Sequence, residues 1–329
     1  MKKLFTITRE SGIPLVGCIA YGIIDRGTST IQVRPTSACN MNCNFCSTDG
    51  GYDSKYHPVD YEVELSYLLD WVKQVVKEKG KVDVFIDSVG DPMMYREIVE
   101  LIRELKKMKE IGKIAMVTNG TLFGEDRIEK LEKAGLDQIN ISIHAIDKEL
   151  GKKLMGRTSY DLDKVLDSCR KITKTKIKLV ITPVLIPNLN DDEIPRIIEF
   201  CKEIGAVMGL QKFEIYKHSR KPKGAKDITY WKFYKRLQEW EKQFNIKLID
   251  KGKELKELVE IRRTNRLKCM LNKGDKIYAE IKAPGWMYGQ KIAAAGNRSI
   301  SINRCDKNIG DKVKVTIEEV KDNIILGSV

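Results

Sequence analysis

Short β-branched runs alternate with longer amphipathic stretches between residues 29 and 217, and this alternation restricts the fold more than any other feature. Strands alternating with helices indicate βαβ units and a parallel sheet. Six such units favour an α/β barrel or partial barrel, whose working loops follow the carboxyl ends of the strands. The predicted strands are 29–35, 82–87, 113–119, 138–144, 177–186 and 209–217, and the predicted helices are 60–78, 95–110, 125–134, 160–173 and 191–203.

The pattern changes after Tyr230. Two amphipathic stretches, 231–244 and 252–267, predict helices. From about Lys273 the chain consists of short strands and glycine turns, which predict a small β-barrel of about 55 residues. We therefore expect an N-terminal extension (1–28), an α/β barrel (29–230), a basic helical connector (231–272) and a C-terminal β-barrel (273–329).

Three of the eight cysteines lie in one loop directly after the first predicted strand, in the stretch PTSACNMNCNFCSTDGG. Their spacing is C-x3-C-x2-C, formed by Cys39, Cys43 and Cys46. Three thiols cannot pair among themselves, and structural zinc sites normally use four ligands in two pairs. Cys43 and Cys46 alone would form a C-x-x-C redox motif, which would leave Cys39 without a role. A [4Fe–4S] cluster held by three thiolates uses all of them and leaves one iron open; zinc and a chance grouping remain as alternatives.

The loop resembles the motif of the radical S-adenosylmethionine (SAM) superfamily, C-x3-C-x-Φ-C, with Phe45 at the aromatic position. The resemblance implies a partial (β/α)6 barrel with this motif after its first strand. It also implies a [4Fe–4S] cluster on Cys39, Cys43 and Cys46, with SAM as the second cofactor. In the family the aromatic ring packs near the adenine, so Phe45 is a candidate SAM contact.

Further segments resemble the family in the expected order along residues 28–217. The segment DSVGDPMMY stands where the family carries GGEP, which holds the SAM amino group; here Val replaces the first Gly and Asp replaces the Glu. TNGT follows the third strand, SIHA the fourth, and PVLIPNLND ends the fifth and is similar to the adenine-side segment. The SAM contacts implied by these segments and by the loop after SIHA are Val89, Gly90, Asp91, Pro92, Asn119, Ser142 and Arg157.

In this family the SAM amino and carboxylate groups chelate the open iron, and an electron cleaves the sulfonium C–S bond. The resulting radical abstracts hydrogen from an unreactive carbon, so the protein must position the reactants and exclude water. The resemblance implies an electron donor such as ferredoxin or flavodoxin. The sequence identifies no catalytic residue. The candidates are His144, Cys269 and Cys305, and for each of them a purely structural role is the alternative.

The net charge of +13 comes entirely from residues 201–329, because residues 1–200 are neutral. A local basic excess indicates a surface for a polyanion; a solvated lysine-rich helical face is the alternative. No apolar run suits a signal peptide or the ~20 residues of a membrane span. We therefore expect a cytoplasmic protein without membrane contact.

The C-terminal module resembles a TRAM domain, a small RNA-binding β-barrel, in its GD-initiated first strand and its late GDKVKVTI. Such domains occur on enzymes that modify RNA, mostly tRNA, which implies RNA as the partner here. Basic and aromatic side chains on a barrel can hold phosphates and stack unpaired bases. The segments 216–226 and 261–268 would continue this basic track. The candidate RNA contacts are Lys282, Trp286, Tyr288, Lys291, Arg298, Arg304 and Lys307.

The sequence thus predicts a radical SAM enzyme that modifies RNA, with tRNA favoured. Relatives that transfer methylthio groups carry a second three-cysteine cluster, whereas the other cysteines here are dispersed, so methylation or another carbon-centred change remains. A rival is a radical SAM enzyme acting on a protein or a small metabolite, with the small barrel as a lid or interaction module. A third possibility is an RNA-binding protein whose cluster is structural or a sensor. The oligomeric state is not predicted.

Overall fold

Strands and helices alternate between residues 30 and 244 in the computed structural model, which describes residues 2–124, 126–249 and 261–329. In chain order the elements are β1 (Lys3–Ile7), β2 (Gly22–Asp25), β3 (Thr30–Arg34), β4 (Val59–Val63), α1 (Leu65–Lys79), β5 (Val82–Ile86), α2 (Ile98–Lys106), β6 (Ile111–Thr118), α3 (Arg127–Ala134), β7 (Gln138–Ile141), α4 (Lys148–Met155), α5 (Leu162–Ile172), β8 (Lys178–Ile181), β9 (Val184–Leu185), α6 (Glu193–Ile204), β10 (Val207–Met208), β11 (Gln211–Lys212), α7 (Tyr230–Phe244), β12 (Lys276–Pro284), β13 (Lys291–Ala295), β14 (Arg298–Asn303), β15 (Lys312–Lys321) and β16 (Ile324–Ser328).

The chain forms two compact units. The described residues of the first unit are 2–39, 54–114 and 261–329, and those of the second are 40–53, 115–124 and 126–249. In the first unit β3 pairs in parallel with β5 and antiparallel with β2, while β1 pairs in parallel with β4. Strand β3 is buried along most of its length: Ile31 and Val33 are buried on one face of the sheet, and Thr30 and Arg34 are buried on the other.

The second unit carries consecutive parallel strands. Strand β7 pairs with the last residues of β6 on one side and with β8 on the other. Strand β10 pairs with the opposite edge of β8. The helices between these strands bury one apolar stripe each; in α5 the buried stripe includes Val165, Cys169 and Ile172. The predicted α/β alternation is therefore confirmed, whereas the six-unit count of a (β/α)6 barrel stays a prediction.

The last five strands close into a small barrel in the order β12-β13-β14-β16-β15. Neighbouring strands are antiparallel except for β14 and β16, which are parallel. Alternate residues point inward and form one apolar core, with Ile281, Ile300 and Val315 fully buried. The predicted C-terminal β-barrel is thus confirmed.

The N-terminal segment packs against this barrel within the first unit. The Ser299 amide donates to the Val16 carbonyl at 2.8 Å, and the Ile325 amide donates to the Gly17 carbonyl at 2.9 Å. A Cβ at Gly17 would come within 1.9 Å of the Ser299 carbonyl oxygen, and Gly17 has a φ of +129°. Only glycine fits there, because the backbone is in the left-handed region and the barrel strand lies in direct contact.

Several predicted elements need correction. The helix predicted over 60–78 begins only at Leu65, since Val59, Tyr61 and Val63 alternate with polar residues and form β4. The segment 1–28 contains β1 and β2, although no element was predicted there. Strand 177–186 is interrupted between β8 and β9.

The remaining corrections lie toward the carboxyl end. The strand predicted over 209–217 is limited to β11. Of the helix predicted over 252–267, residues 252–260 lie outside the described residues. Residues 261–267 are not helical, because Arg263 pairs with Thr28 in an isolated antiparallel bridge. Within the described parts of the chain, no helix combines the length and the apolar character that crossing a membrane requires.

Candidate active site

The segment that leads into Cys39 contacts the VGDP turn within the first unit. Ser88 donates its hydroxyl to the Thr36 carbonyl, and the Gly90 amide donates to the Ser88 hydroxyl at 2.8 Å. The Asp91 amide donates to the Ala38 carbonyl at 2.8 Å. These bonds fix the backbone on which Cys39 is presented.

Of the predicted SAM contacts in this turn, Val89, Asp91 and Pro92 are buried. The Asp91 carboxylate accepts a hydrogen bond from the Met93 amide at 2.9 Å and so caps the short 3-10 turn Pro92–Met94. The backbone of this turn is therefore well ordered. A role for the Asp91 side chain in binding SAM stays a prediction.

Residues 40–53 continue the cysteine loop in the second unit and dock on the end of α4. The Asn42 and Asn44 amides donate to the carbonyls of Met155 and Leu154, each at 3.0 Å. Gly156 ends the helix with a φ of +64°, and a Cβ there would come within 2.0 Å of the Asn42 carbonyl oxygen. Only glycine fits at this end of the helix, because its φ is positive and the loop backbone lies in direct contact with it.

The cysteines of the motif differ in exposure from four of the other five cysteines. Cys39, Cys43 and Cys46 are partly exposed, whereas Cys18, Cys169, Cys201 and Cys305 are buried. The Gly50 amide lies 3.2 Å from the Cys46 sulfur and donates to it, and the Thr48 hydroxyl lies 3.4 Å from the same sulfur. Amide donors of this kind stabilise a metal-bound thiolate and tune its cluster.

The buried cysteines of the helices have a different chemistry. Burial raises the pKa of both Cys169 and Cys201 to about 12, so neither forms a thiolate readily. Both residues lie fully buried in the core. The contrast assigns reactive-thiol chemistry to the motif loop rather than to the helices.

Asn119 connects the loop after β6 to the start of the cysteine loop in the second unit. Its amide nitrogen donates to the Asn40 side-chain oxygen at 2.8 Å, and its own oxygen accepts from the Thr121 amide at 2.9 Å. Asn40 in turn donates to the Thr121 hydroxyl at 2.8 Å. The predicted SAM contact Asn119 therefore also holds the residue next to Cys39.

Phe45 and His144 pack together. Their rings meet edge to face at 4.6 Å, and Phe45 belongs to an apolar cluster with Leu154, Ile186 and Phe213. His144 accepts a hydrogen bond from the Val184 amide at 3.1 Å, and its burial lowers its pKa to about 3. A neutral imidazole in this position supports the start of β9. Catalysis by His144 stays a prediction.

Ser142 and Arg157, the remaining predicted SAM contacts, are half-buried. The Ser142 amide donates to the Thr118 carbonyl at 3.0 Å. The Arg157 guanidinium lies 4.6 Å from the centre of the Tyr52 ring. Its Nε is buried and makes no hydrogen bond with any part of the chain that the structure describes. A buried donor of this kind is suited to an anionic ligand.

The donor set fits an iron–sulfur cluster held by three cysteines. The sulfurs are partly exposed, they lie in a short irregular loop, and at least one accepts an amide hydrogen bond. Across residues 2–124, 126–249 and 261–329, no three His, Cys, Asp or Glu side chains are already assembled around a metal position.

Two further catalytic candidates lie at the small barrel. Cys305 is buried in its apolar core, and the partly buried Cys269 packs against the same core. The Cys269 sulfur lies 3.7 Å from the Leu271 carbonyl oxygen. Both cysteines thus pack in the barrel as small apolar side chains would. A catalytic role for either thiol stays a prediction.

The predicted RNA contacts differ in accessibility. Arg298 is buried, and its guanidinium donates to the carbonyls of Lys268 and Asn297. Trp286 is also largely buried and stacks on His57, with ring centres 3.8 Å apart. Lys282 pairs with Glu280 at 2.8 Å. Tyr288, Arg304 and Lys307 are exposed, and Lys291 is partly exposed.

A cluster of lysines on the small barrel was predicted only in part, through Lys307. A depression of about 510 Å³, here called the lysine groove, is lined by Lys276, Lys307, Lys312, Val313, Lys314, Thr316 and Val329. No lining residue is acidic. None of the four lysines forms an ion pair with the residues that the structure describes. Tyr278 faces Lys314 across the strand pair and is 75% exposed.

The comparison with protein families matches this chain to the Radical SAM superfamily over residues 33–201. The chain belongs to this superfamily. Radical SAM enzymes use a [4Fe–4S] cluster and SAM, so the predicted cofactors are confirmed at the level of the family. The matched residues include the cysteine motif, the VGDP turn and Asn119.

Among related sequences, this radical SAM chain is 35% identical to an uncharacterised protein of Methanocaldococcus jannaschii, over 98% of the chain and 80% of the relative. It is 29% identical to a probable GTP 3′,8-cyclase of Pyrococcus horikoshii, over 62% of each protein. The chain thus spans less than two thirds of the length of that cyclase.

Among solved structures, the fold is similar to that of SuiB from Streptococcus suis bound to its precursor peptide SuiA. The TM-score is 0.54 with 17% identity, and the match covers 73% of this chain and 49% of SuiB. SuiB has also been solved with SAM bound. At this identity the likeness establishes the radical SAM fold alone.

Sequence reasoning missed the residues that hold the cysteine loop in place. Asn40 and Gly156 contact this loop, as described above, and so does Arg220. The segment 216–226 had been assigned to an RNA track on its charge alone. No local pattern in the sequence distinguishes an arginine that binds a loop from one that faces solvent.

Proposed function

We propose that this protein is a radical SAM enzyme that modifies RNA, with a tRNA nucleoside as the favoured target, by methylation or another carbon-centred change. Cys39, Cys43 and Cys46 would hold the [4Fe–4S] cluster, and ferredoxin or flavodoxin would supply the electron. Eight cysteines, none of them in a disulfide within the part of the chain that the structure describes, suit a reducing compartment, which favours the cytoplasm.

The observation that carries the RNA proposal is the lysine groove. Four lysines that form no ion pair with any described residue line one depression, and an exposed tyrosine lies beside them. Lysines bind the phosphate backbone, and an exposed aromatic ring can stack on an unpaired base. The groove thus combines both requirements of RNA binding on a five-stranded barrel of TRAM-like size.

A second surface, on α7 in the other unit, supports the same class of ligand. Trp231 is 69% exposed, and its neighbours Tyr230 and Tyr234 are also exposed. The Lys235 amine lies 5.6 Å from the centre of the Trp231 ring. Exposed aromatic rings flanked by lysines are unusual on a solvated helix and suit stacking on unpaired bases.

When bound, the cluster and SAM supply a radical able to abstract hydrogen from an unactivated carbon. The chain's own residues would prepare that chemistry. The loop 40–53 would present two of the cysteines, the VGDP turn would contact SAM through its backbone, and the buried Arg157 Nε would donate to an anionic group. Phe45 and its apolar cluster would exclude water from the loop.

A small nucleotide substrate is the second candidate, because the chain is similar to probable GTP 3′,8-cyclases. That similarity covers only 62% of this chain. On this alternative the lysine groove would have no role in catalysis. RNA and a free nucleotide share a base and phosphates, so the two candidates must be separated by experiment.

The decisive experiment measures 5′-deoxyadenosine release by reduced, reconstituted protein with SAM and with either tRNA or GTP. Stimulation by tRNA supports the proposal, and stimulation by GTP alone favours the second candidate. The variant Lys314→Glu should reduce stimulation by tRNA, whereas Lys321→Glu on the same strand but outside the groove should not. Mass spectrometry of tRNA nucleosides from a strain lacking the gene would then identify the modified base.

A further inference from the structure

Arg220 makes an unusual number of contacts with the cysteine loop, all within the second unit. Its Nε lies 2.5 Å from an Asp49 carboxylate oxygen. One terminal nitrogen donates to the Cys43 carbonyl at 3.1 Å, and the other donates to the Gly50 carbonyl at 2.8 Å. A guanidinium can do this because its donors diverge in one rigid plane.

The backbone of Arg220 adds a further bond, because its amide donates to the Cys46 carbonyl at 2.8 Å. One residue therefore satisfies the carbonyl groups of two cysteines in the motif. These carbonyls lie in an irregular loop, where neither a helix nor a sheet supplies donors. Without Arg220 these carbonyls would keep only the loop amides of Cys46 and Asp49, at 3.2 and 3.5 Å, and the free energy that holds the loop in this conformation would fall.

The carboxylate partner of Arg220 is itself buried. Asp49 is 1% exposed and has a φ of +54°, so its backbone is held in a conformation that side chains rarely adopt. Beside it, Gly51 would place a Cβ within 1.9 Å of the Met41 carbonyl oxygen. The loop is thus tightly folded back on itself, and removing the arginine would leave a buried carboxylate without its cation.

We infer that Arg220 is a positioning residue that holds the Cys43–Gly51 loop in its cluster-binding shape before the cluster is inserted. This inference rests on the cluster-binding part of the proposed function and is independent of the RNA substrate. Arg220 contacts the carbonyl groups of Cys43 and Cys46, and both cysteines are partly exposed. Its role is therefore to order the loop, and the thiolates remain the ligands.

The test uses the full chain without its cluster. The rates at which Cys43 and Cys46 react with iodoacetamide are measured by peptide mass spectrometry for the native protein, Arg220→Met and Arg220→Lys. We expect both thiols to react about tenfold faster in Arg220→Met, because the lost charge-assisted hydrogen bonds no longer oppose loop opening. Arg220→Lys should be intermediate, since one ammonium can pair with Asp49 but cannot reach all the carbonyls.

Two controls separate this role from general destabilisation. Lys223→Met removes an exposed charge from the same segment and should leave both rates unchanged. Cys269, in the first unit, should react at the native rate in every variant. Should Arg220→Met fail to fold, Asp49→Asn removes the charge partner with little change of shape and should also accelerate alkylation.

Iron and sulfide content after anaerobic reconstitution is the second readout, and Arg220→Met should retain less than half of the native content. Native alkylation rates in both Arg220→Met and Asp49→Asn would overturn the inference. If the native protein itself binds no iron, the proposed cluster fails, yet the alkylation rates still report on whether Arg220 orders the loop.

Discussion

Gly90 lies against the backbone of Ala38 so closely that a Cβ on Gly90 would come within 2.2 Å of the Ala38 carbonyl oxygen. The VGDP turn and the segment entering Cys39 therefore touch backbone to backbone. Gly90→Ala should lower the free energy of unfolding by about 1–3 kcal/mol, the usual cost of overpacking. Denaturant unfolding of the protein without its cluster measures this.

The matched control is Gly124→Ala, because a Cβ there meets no atom within 4 Å and the residue does not have a positive φ. Its free energy of unfolding should stay within about 0.5 kcal/mol of the native value. Equal effects of the two substitutions would show that the contact between Gly90 and Ala38 does not limit the fold.

Replacing Cys39, Cys43 or Cys46 with alanine should each abolish the iron–sulfur absorbance after reconstitution, because a cluster with only two thiolates is poorly held. Cys269→Ala is the control and should keep a native cluster, since this thiol packs against the barrel core. An intact cluster in any of the three motif variants would contradict the ligand assignment.

The lysines of the groove should increase the salt dependence of the affinity for RNA. Removing two phosphate contacts with Lys312→Gln and Lys314→Gln should reduce the slope of log K against log salt by about 1.4 for single-stranded RNA. Lys321→Gln should leave that slope unchanged. Fluorescence anisotropy across a series of salt concentrations gives the three slopes, and identical slopes would place the RNA elsewhere.

His144 should make the stability depend on pH below 6.5. Burial holds its pKa at about 3 in the folded protein, whereas an unfolded histidine takes up a proton near pH 6.5. The unfolded state therefore binds the extra proton first, so stability falls as the pH drops from 6.5 toward 3, by up to about 1.4 kcal/mol per pH unit. Above pH 6.5 the contribution is constant.

The variant His144→Asn isolates this effect because it keeps an acceptor for the Val184 amide and does not titrate. Between pH 6 and pH 4 its free energy of unfolding should fall less steeply than that of the native protein. Parallel curves for the two proteins would show that the imidazole is protonated in the folded state.

Arg34 and Asp87 form a buried, two-pronged ion pair with distances of 2.9 and 2.8 Å. Arg34→Met should cost about 3–5 kcal/mol of unfolding free energy, since it leaves a buried carboxylate unpaired. Arg103→Met removes an arginine from an exposed helix pair with Glu100 and should cost no more than about 1 kcal/mol. If the two variants lost comparable amounts of unfolding free energy, Asp87 would be hydrated once Arg34 is removed.

The sequence predicted strands and helices well wherever burial imposes a clear period. Strand β3 and helix α5 followed from β-branched runs and from apolar residues at helical spacing. Strand β4 was missed because its alternating residues precede α1 directly, and the longer helical pattern hid the shorter one. The family could be recognised from the cysteine motif for a similar reason, because the spacing of the cysteines is a local feature of the sequence.

The roles of charged residues could not be predicted in the same way. Arg298 and Arg220 were both assigned to an RNA surface on their charge. Arg298 instead donates to the carbonyls of Lys268 and Asn297, and Arg220 donates to those of the cysteine loop. Whether a guanidinium faces solvent or a carbonyl depends on residues far away in the sequence. The lysines of the groove likewise come close together only when β12 pairs with β15.

The contact of Gly17 with Ser299 and Ile325 also bears on how the chain folds during synthesis. Residues 13–17 leave the ribosome early, but their backbone partners in β14 and β16 are made almost 300 residues later. The carbonyls of Val16 and Gly17 must therefore wait for their barrel donors until residue 325 has been synthesised. A chain stalled before that point would lack these long-range contacts of the first unit, which makes completion of the barrel a late step in its folding.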